Sequence, residues 1–219
     1  TLKSKGRVTR RCNLGCRYCI LDPEAGSMSG ETAMDMDRFY LKLIREKSPR
    51  RVRDDFLGGE PLINPTVIRE SASRRYHFCL GKGIDYEFSL TTNGTLLSPS
   101  LIRDLLPLGL GHIRVSLAGP KDIHDHLRPD RTGGPTHDTI MANLESISGL
   151  IPIHIECQYD AGSNDFKRLP DMMDLFSRRN IQVNRIAFTP ILPRRGESPF
   201  EDGMGSPDIY FFLMKESEK

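Results

Sequence analysis

The chain has 219 residues, 37% of them hydrophobic, and a formal net charge of +2. This length suits one large domain with a buried core, and the interspersed charges give little support to a nucleic acid partner. No apolar run is long enough to cross a bilayer, and residues 1–7 lack an apolar stretch of the signal-peptide type, so we expect neither a membrane partner nor secretion.

Short β-rich segments alternate with segments of helical periodicity along the chain. The strands are predicted at residues 7–11, 52–57, 86–92, 113–117, 153–159 and 183–188. The helices are predicted at residues 29–47, 65–80, from 98 onward, around 140–147 and at 169–179. Within the first helix, 3–4 spacing predicts a buried face made by Met36, Phe39, Tyr40, Leu43 and Ile44.

This alternation predicts an α/β fold of parallel strands with right-handed crossovers. No G-x-G-x-x-G follows the first strand, which disfavours a dinucleotide-binding domain. Six repeats suit either a partial (β/α)6 TIM-like barrel with outer helices, which we predict, or an open doubly wound sheet. In both folds, ligands gather at the carboxyl ends of the strands.

The composition changes after Pro193. We predict a core domain over residues 1–193, a Gly-, Pro- and acid-rich linker over residues 194–208, and the start of a truncated C-terminal region over residues 209–219. The first residue is not Met and the last predicted helix is interrupted. Both features favour a piece of a longer protein.

Three cysteines lie close together in a loop after the first predicted strand. Cys12, Cys16 and Cys19 have the spacing C-x3-C-x2-C, which supplies three thiolates and leaves a fourth ligand position open. Thiolates suit iron–sulfur clusters, whereas structural zinc normally takes four protein ligands in paired knuckles, and no second knuckle occurs here. Cys79 and Cys157 stand alone in apolar surroundings and are interpreted as buried small hydrophobes. This usage of cysteine predicts a reducing compartment, the cytoplasm.

Several polar motifs follow other predicted strands. Gly58-Gly59-Glu60-Pro61 comes after the second strand, Thr92 and Asn93 end the third, and Ser116 ends the fourth. Parallel strands present their carboxyl ends on one rim, so these motifs and the cysteine loop are expected to converge.

Arg128 is a candidate for binding a carboxylate through its forked guanidinium, with a solvated loop arginine as the alternative. His124, Asp125 and His126 resemble a metal cluster at first sight. They are interpreted instead as a helical turn before Arg128 whose side chains face different ways.

Together these residues resemble the radical SAM superfamily. Cys12-x3-Cys16-x2-Cys19, with Tyr18 before the last cysteine, matches its cluster motif, and Gly58-Gly59-Glu60-Pro61 matches its S-adenosylmethionine amino-group motif. The stretch from Ser116 to Arg128 resembles the branch that carries SPASM domains, which includes maturases of peptides and proteins. The resemblance covers roughly residues 5 to 193.

The resemblance implies a [4Fe–4S] cluster on the three cysteines and S-adenosylmethionine (SAM) on its unique iron, with reductive cleavage to a 5′-deoxyadenosyl radical. It further implies that Glu60 and the backbone of Gly58 and Gly59 hold the amino group of SAM. Ser116 and Arg128 would hold its carboxylate or ribose, and the backbone of Tyr18 its adenine. Thr92, Asn93 and Pro61 are expected to complete the cofactor site.

By the same resemblance, the substrate is a peptide or protein and the electron donor a flavodoxin or ferredoxin. One alternative is a radical SAM enzyme acting on a small molecule, and another is an iron–sulfur or metal-binding scaffold that does not cleave SAM. The chain departs from the branch at Ala118, where relatives often have Asp, and no cysteine follows Cys157 to ligate auxiliary clusters. Either a cysteine-rich part has been removed or the protein never had one.

Overall fold

The structure is a computed structural model that describes residues 1–21, 26–159 and 165–191. Six strands and six α-helices lie within these residues, with one α-helix between successive strands except for two between the fourth and the fifth. The strands are β1 (Leu2–Thr9), β2 (Arg51–Gly58), β3 (Asp85–Thr92), β4 (Leu110–Leu117), β5 (Ile153–Tyr159) and β6 (Val183–Pro190). The helices are α1 (Gly30–Lys47), α2 (Pro65–Leu80), α3 (Pro99–Leu105), α4 (Lys121–Leu127), α5 (His137–Ile147) and α6 (Leu169–Arg178). The predicted linker at 194–208 and the segment 209–219 lie outside the described residues.

All six strands are parallel and pair in the order β1-β2-β3-β4-β5-β6. Each strand therefore pairs with the next one in sequence, and no strand order reverses, as it would in a doubly wound sheet. This confirms the predicted α/β partial barrel.

The two faces of the sheet differ in polarity, as the side-chain period of two requires. On β4, Ile113, Val115 and Leu117 are fully buried, whereas the alternate residues are only partly buried. Equivalent apolar positions on the other strands and helices form one continuous core. The polar face is thus left to line the inside of the barrel.

The first strand begins earlier than predicted and ends at Thr9. Lys3, Lys5 and Arg7 are exposed along it, and the residues between them are more buried. This alternation places three cations on the inner face and leaves residues 2–6 with too few apolar residues for that part of the strand to be predicted.

The predicted buried face of α1 is partly wrong. Phe39 is 71% exposed and Met36 46% exposed, whereas Asp37 lies on the buried side with Tyr40 and Ile44. Asp37 is buried because it accepts hydrogen bonds from Arg74 at 2.7 Å and from Arg75 at 2.8 Å, both on α2. The buried face of this helix therefore includes an acid paired with two arginines as well as apolar residues.

Candidate functional site

A cavity of about 560 Å³ opens at the carboxyl ends of the strands. Of the residues predicted for the site, the structure brings the following to its lining: Cys12, Cys16, Tyr18, Cys19, Gly58, Gly59, Thr92, Asn93, Ser116 and Arg128. Glu60 and Pro61 are buried behind the wall. The predicted convergence on one rim is therefore observed in the backbone arrangement.

The cysteine loop is held against the loop that follows α4. Gly15 N–H donates to the carbonyl of Pro129 at 2.8 Å, and Arg17 N–H donates to that of Leu127 at 3.0 Å. A tight turn in which Cys19 N–H donates to the Cys16 carbonyl at 3.1 Å brings the last two cysteines together. Two separate loops thus fix the position of the thiols.

All three thiols are free, and they differ in exposure. Cys12 and Cys16 are half-buried and Cys19 is exposed. Burial raises the pKa of Cys12 and Cys16, and the nearby Arg128 guanidinium opposes that rise at Cys16. Among the described residues, no three Cys, His, Asp or Glu side chains converge closely enough to hold a single metal ion. Three thiolates suit an iron–sulfur cluster, whereas structural zinc normally takes four protein ligands.

The two glycines after β2 allow that strand to pass close to the cysteine loop. A Cβ atom on Gly58 would lie 2.6 Å from the Thr9 carbonyl oxygen, and one on Gly59 would overlap the carbonyl oxygens of Arg10 and Arg11. Gly59 N–H instead donates to Thr9 at 2.9 Å, and Glu60 N–H donates to Arg11 at 2.8 Å. The lack of side chains at Gly58 and Gly59 therefore allows the two loops to touch. The backbone of both glycines lines the cavity.

The Glu60 carboxylate has no exposed surface. It accepts hydrogen bonds from Leu62 N–H at 3.0 Å, Thr92 Oγ1 at 2.7 Å and Asn93 N–H at 2.7 Å. Burial raises its pKa, and these donors oppose the rise. Glu60 thereby fixes the turn at the end of β3.

The turn at the end of β3 also holds the cysteine loop, through two amide side chains. Asn93 Nδ2 donates to Asn13 Oδ1 at 2.9 Å, and Asn13 Nδ2 donates to Thr95 Oγ1 at 2.8 Å. Sequence reasoning missed Asn13 and Thr95. The only available signal was the presence of Asn13 within the loop, directly after Cys12.

Arg128 is a buried cation without a carboxylate partner among the described residues. One of its terminal nitrogens donates to the Tyr18 hydroxyl and, at 3.2 Å, to Gln158 Oε1, and its Nε has no partner. Gln158, which sequence reasoning also missed, lies on the inner face of β5, where its alternation with Cys157 could have marked it. A buried unpaired charge is costly, so this arrangement favours an anion in the cavity.

His124 connects the end of β4 to Arg128. Ala118 N–H donates to His124 Nδ1 at 3.2 Å, which leaves the proton on Nε2 to donate to Thr136 Oγ1 at 3.2 Å. Thr136 Oγ1 then donates to the Arg128 carbonyl at 2.7 Å. Burial lowers the pKa of His124 well below its ordinary value, in agreement with a neutral ring.

The remaining residues of that predicted helical turn have separate partners. Asp125 accepts hydrogen bonds from the backbone N–H of Thr136 and of His137, both at 2.9 Å. His126 is exposed at the end of α4. The predicted helical turn is thus present as α4, and its acid anchors the loop before α5.

A comparison with protein families matches residues 7–165 to the radical SAM superfamily. The chain belongs to the radical SAM superfamily. Membership of this superfamily implies a [4Fe–4S] cluster and SAM as cofactors. No helix among the described residues is long and apolar enough to cross a membrane.

Similar curated proteins include several named GTP 3′,8-cyclase. The protein from Clostridium botulinum is 28% identical over 198 residues, which cover 90% of this chain and 58% of the relative. The protein from Heliobacterium modesticaldum is 30% identical over 203 residues, which cover 88% of this chain and 56% of the relative. The chain thus spans less than two thirds of these relatives.

Similar solved structures include peptide-bound proteins of the same fold. A structure of anSMEcpe with bound AdoMet and the Cp18Cys peptide has a TM-score of 0.76 at 23% identity, covering 98% of this chain and 57% of that chain. Streptococcus suis SuiB bound to precursor peptide SuiA has a TM-score of 0.68 at 17% identity, covering 99% and 45%. At these identities the similarity establishes the fold of the radical SAM core.

Proposed function

We propose that Cys12, Cys16 and Cys19 ligate the [4Fe–4S] cluster and that the adjoining cavity binds SAM. The observation that carries this proposal is Arg128, a buried guanidinium with an unpartnered Nε beside three free thiols. An anionic thiolate cluster and the carboxylate of SAM would compensate that charge. The donor set therefore fits the cofactors that the family implies.

The cofactors, when bound, supply reductive cleavage of a sulfonium bond and a 5′-deoxyadenosyl radical that abstracts hydrogen. The protein supplies binding and orientation. We assign the Gly58–Gly59 backbone, with Thr92 and Asn93, to the methionine end of SAM, Ser116 and Arg128 to its carboxylate or ribose, and the Tyr18 backbone to its adenine. Glu60 and Pro61 act from behind the wall, where Glu60 holds Asn93 and so positions the turn that we assign to the methionine end of SAM.

This proposal is tested by anaerobic reconstitution, reduction with dithionite and measurement of 5′-deoxyadenosine. The reconstituted chain should form the product above the level of a Cys16→Ala control. Iron bound to the wild-type chain without product formation would instead favour the scaffold alternative.

Two substrate classes are supported by different observations. Maturation of a peptide or protein, of the SPASM type, is supported by the fold shared with anSMEcpe and SuiB. A small molecule is supported by the greater identity with GTP 3′,8-cyclases and by the charged wall of the cavity, which includes Lys5, Arg10 and Arg114. We favour the small molecule, because the cyclases are more similar to this chain in sequence and because cations outnumber acids on the cavity wall.

The substrate proposal is tested by adding GTP or the Cp18Cys peptide of the anSMEcpe structure to the reduced, SAM-loaded enzyme. Product formation that depends on GTP supports the small-molecule class, whereas modification of the peptide supports the maturase class. We also propose a flavodoxin or ferredoxin as the electron donor, and a reducing compartment in keeping with the five free cysteines.

A further inference from the structure

Cys12 is distinguished from the other loop cysteines by the donors around its sulfur. Leu14 N–H donates to Cys12 Sγ at 3.4 Å, and Asn93 Nδ2 donates to the same atom at 3.8 Å. Within the described part of the chain, no side chain donates a hydrogen bond to the sulfur of Cys16 or Cys19. The surroundings of the three thiols are therefore unequal.

The orientation of the Asn93 amide is determined by its other partners. Its Oδ1 accepts from Thr95 N–H at 3.0 Å, and since a backbone N–H is always a donor, Oδ1 and Nδ2 cannot be exchanged. Its Nδ2 carries two hydrogens, of which one is directed to Asn13 Oδ1 at 2.9 Å. The second hydrogen is thus available to Cys12.

The backbone of Asn93 is equally fixed. Its N–H donates to the buried carboxylate of Glu60 at 2.7 Å, and its side chain is only slightly exposed. A donor held from both sides changes little in position when the charge of its acceptor changes. Such a donor is preorganised for a sulfur that becomes more negative.

We propose that Asn93 tunes the reduction potential of the cluster through its hydrogen bond to Cys12. When Cys12, Cys16 and Cys19 hold the cluster, one electron supplied by an external donor protein would increase the negative charge on these sulfurs. A hydrogen bond to sulfur stabilises this more negative state and so raises the reduction potential. Asn93 is therefore a positioning and tuning residue, and the proposal rests on the proposed ligation of the cluster by Cys12.

The test is a redox titration of the reconstituted, SAM-free chain, followed by electron paramagnetic resonance of the reduced cluster. Asn93→Leu should bind as much iron as wild type and show a more negative midpoint potential. Asn143→Leu is the matched control. Asn143 Nδ2 donates to the carbonyls of Gly94 and Thr95, both at 2.9 Å, so it supports the same turn without touching Cys12.

Equal midpoint potentials for both variants would overturn the proposal, because the turn rather than the hydrogen bond would then be responsible. If Asn93→Leu does not assemble a cluster, Asn93→Asp retains the acceptor for Thr95 and removes the donor. Its control is Asn13→Asp, which adds the same charge on the cysteine loop and keeps the Asn93 amide. Asn93→Asp should give the more negative potential of the two, and equal values would again overturn the proposal. Loss of iron from wild type itself would refute the proposed ligands instead.

Discussion

Cys12, Cys16 and Cys19 share a cavity wall, whereas Cys79 and Cys157 are buried in the hydrophobic core. Replacement of any of the three loop cysteines by Ala should abolish cluster absorbance and iron binding. Cys79→Ser and Cys157→Ser should leave the iron content unchanged, because burial raises the pKa of both thiols to about 11 and keeps them protonated. Iron analysis and visible absorption after anaerobic reconstitution measure both results. Full iron content in all three loop variants would exclude the ligand assignment.

One added carbon atom at Gly59 is also expected to disturb the site. A Cβ there would overlap two backbone carbonyl oxygens of the cysteine loop, and backbone cannot move aside as a flexible side chain can. Gly59→Ala should therefore displace the loop, lower the melting temperature and reduce iron binding severalfold. Gly30→Ala is the control, because nothing lies within 4 Å of its added methyl group. Thermal unfolding and iron analysis give the comparison, and equal behaviour of the two variants would contradict the packing argument.

At the scale of elements, α1, α2 and β2 are joined by a buried ion network. Arg75 donates to Asp37 at 2.8 Å and to Asp54 at 2.9 Å, and its guanidinium lies 4.7 Å from the centre of the Tyr40 ring. Arg75→Met should cost about 3–5 kcal/mol in the free energy of unfolding, because the buried Asp54 loses its cation and Asp37 keeps only Arg74.

Arg38→Met provides the comparison for that prediction. The Arg38–Asp35 pair on α1 has side chains 72% and 65% exposed, and such pairs contribute about 0–1 kcal/mol. Urea unfolding of both variants measures the difference. A loss at Arg75 no greater than that at Arg38 would show that the network contributes little to stability.

The connection from β4 through α4 to α5 predicts a dependence of stability on pH. His124 has a pKa well below its ordinary value of 6.5, so below that pH the unfolded chain takes up a proton that the folded chain does not. The stability that the neutral His124 ring contributes should be fully present above pH 6.5. The free energy of unfolding should then fall as the pH is lowered towards the folded pKa, by at most about 1.4 kcal/mol per pH unit for this group.

His124→Gln should flatten that part of the profile, whereas His126→Gln, on the exposed side of the same helix, should leave it close to wild type. Urea unfolding between pH 5 and 7.5 provides the curves. A wild-type profile without a slope in this range would contradict the neutral, buried ring. Burial, which is partial at His112 and His154 and nearly complete at His137, also lowers the pKa of these three histidines, so some slope is expected to persist in the variant.

Features of the strands and helices that depend on local residue patterns could be predicted from the sequence. Short β-rich runs that end in diglycine or Thr-Asn identified β2, β3 and their functional ends, whereas β1 was predicted only in its last part, before the cysteine loop. Sequence reasoning missed the partners that only the fold brings together, such as Asn13 with Asn93, which are 80 positions apart. It also misjudged α1, because apolar spacing alone does not reveal that Asp37 is buried by two arginines of another helix. The direction of the Glu60 side chain likewise depends on the turn after β3.

At the scale of the whole molecule, the apolar side of the sheet packs under the helices and the polar side encloses the cavity. The charged residues that line the cavity are the cations Lys5, Arg10, Arg114 and Arg128 and the acids Asp55 and Glu156. Arg114 lies 3.6 Å from Asp55, and Lys5 makes no ion pair with the described residues. The excess of cations favours an anionic substrate beside the cofactors.

For the small-molecule substrate, Lys5→Gln should therefore weaken the binding of GTP by about tenfold, the effect of losing one charge-assisted contact of about 1.5 kcal/mol. Lys3→Gln is the matched control, because Lys3 precedes it on the same face of β1 but does not line the cavity. Calorimetry on the cluster-loaded protein should also show weaker binding of GTP at higher salt and little binding of uncharged guanosine. Equal effects of the two lysine substitutions, or equal affinity for guanosine and GTP, would show that the cavity charges do not select the substrate.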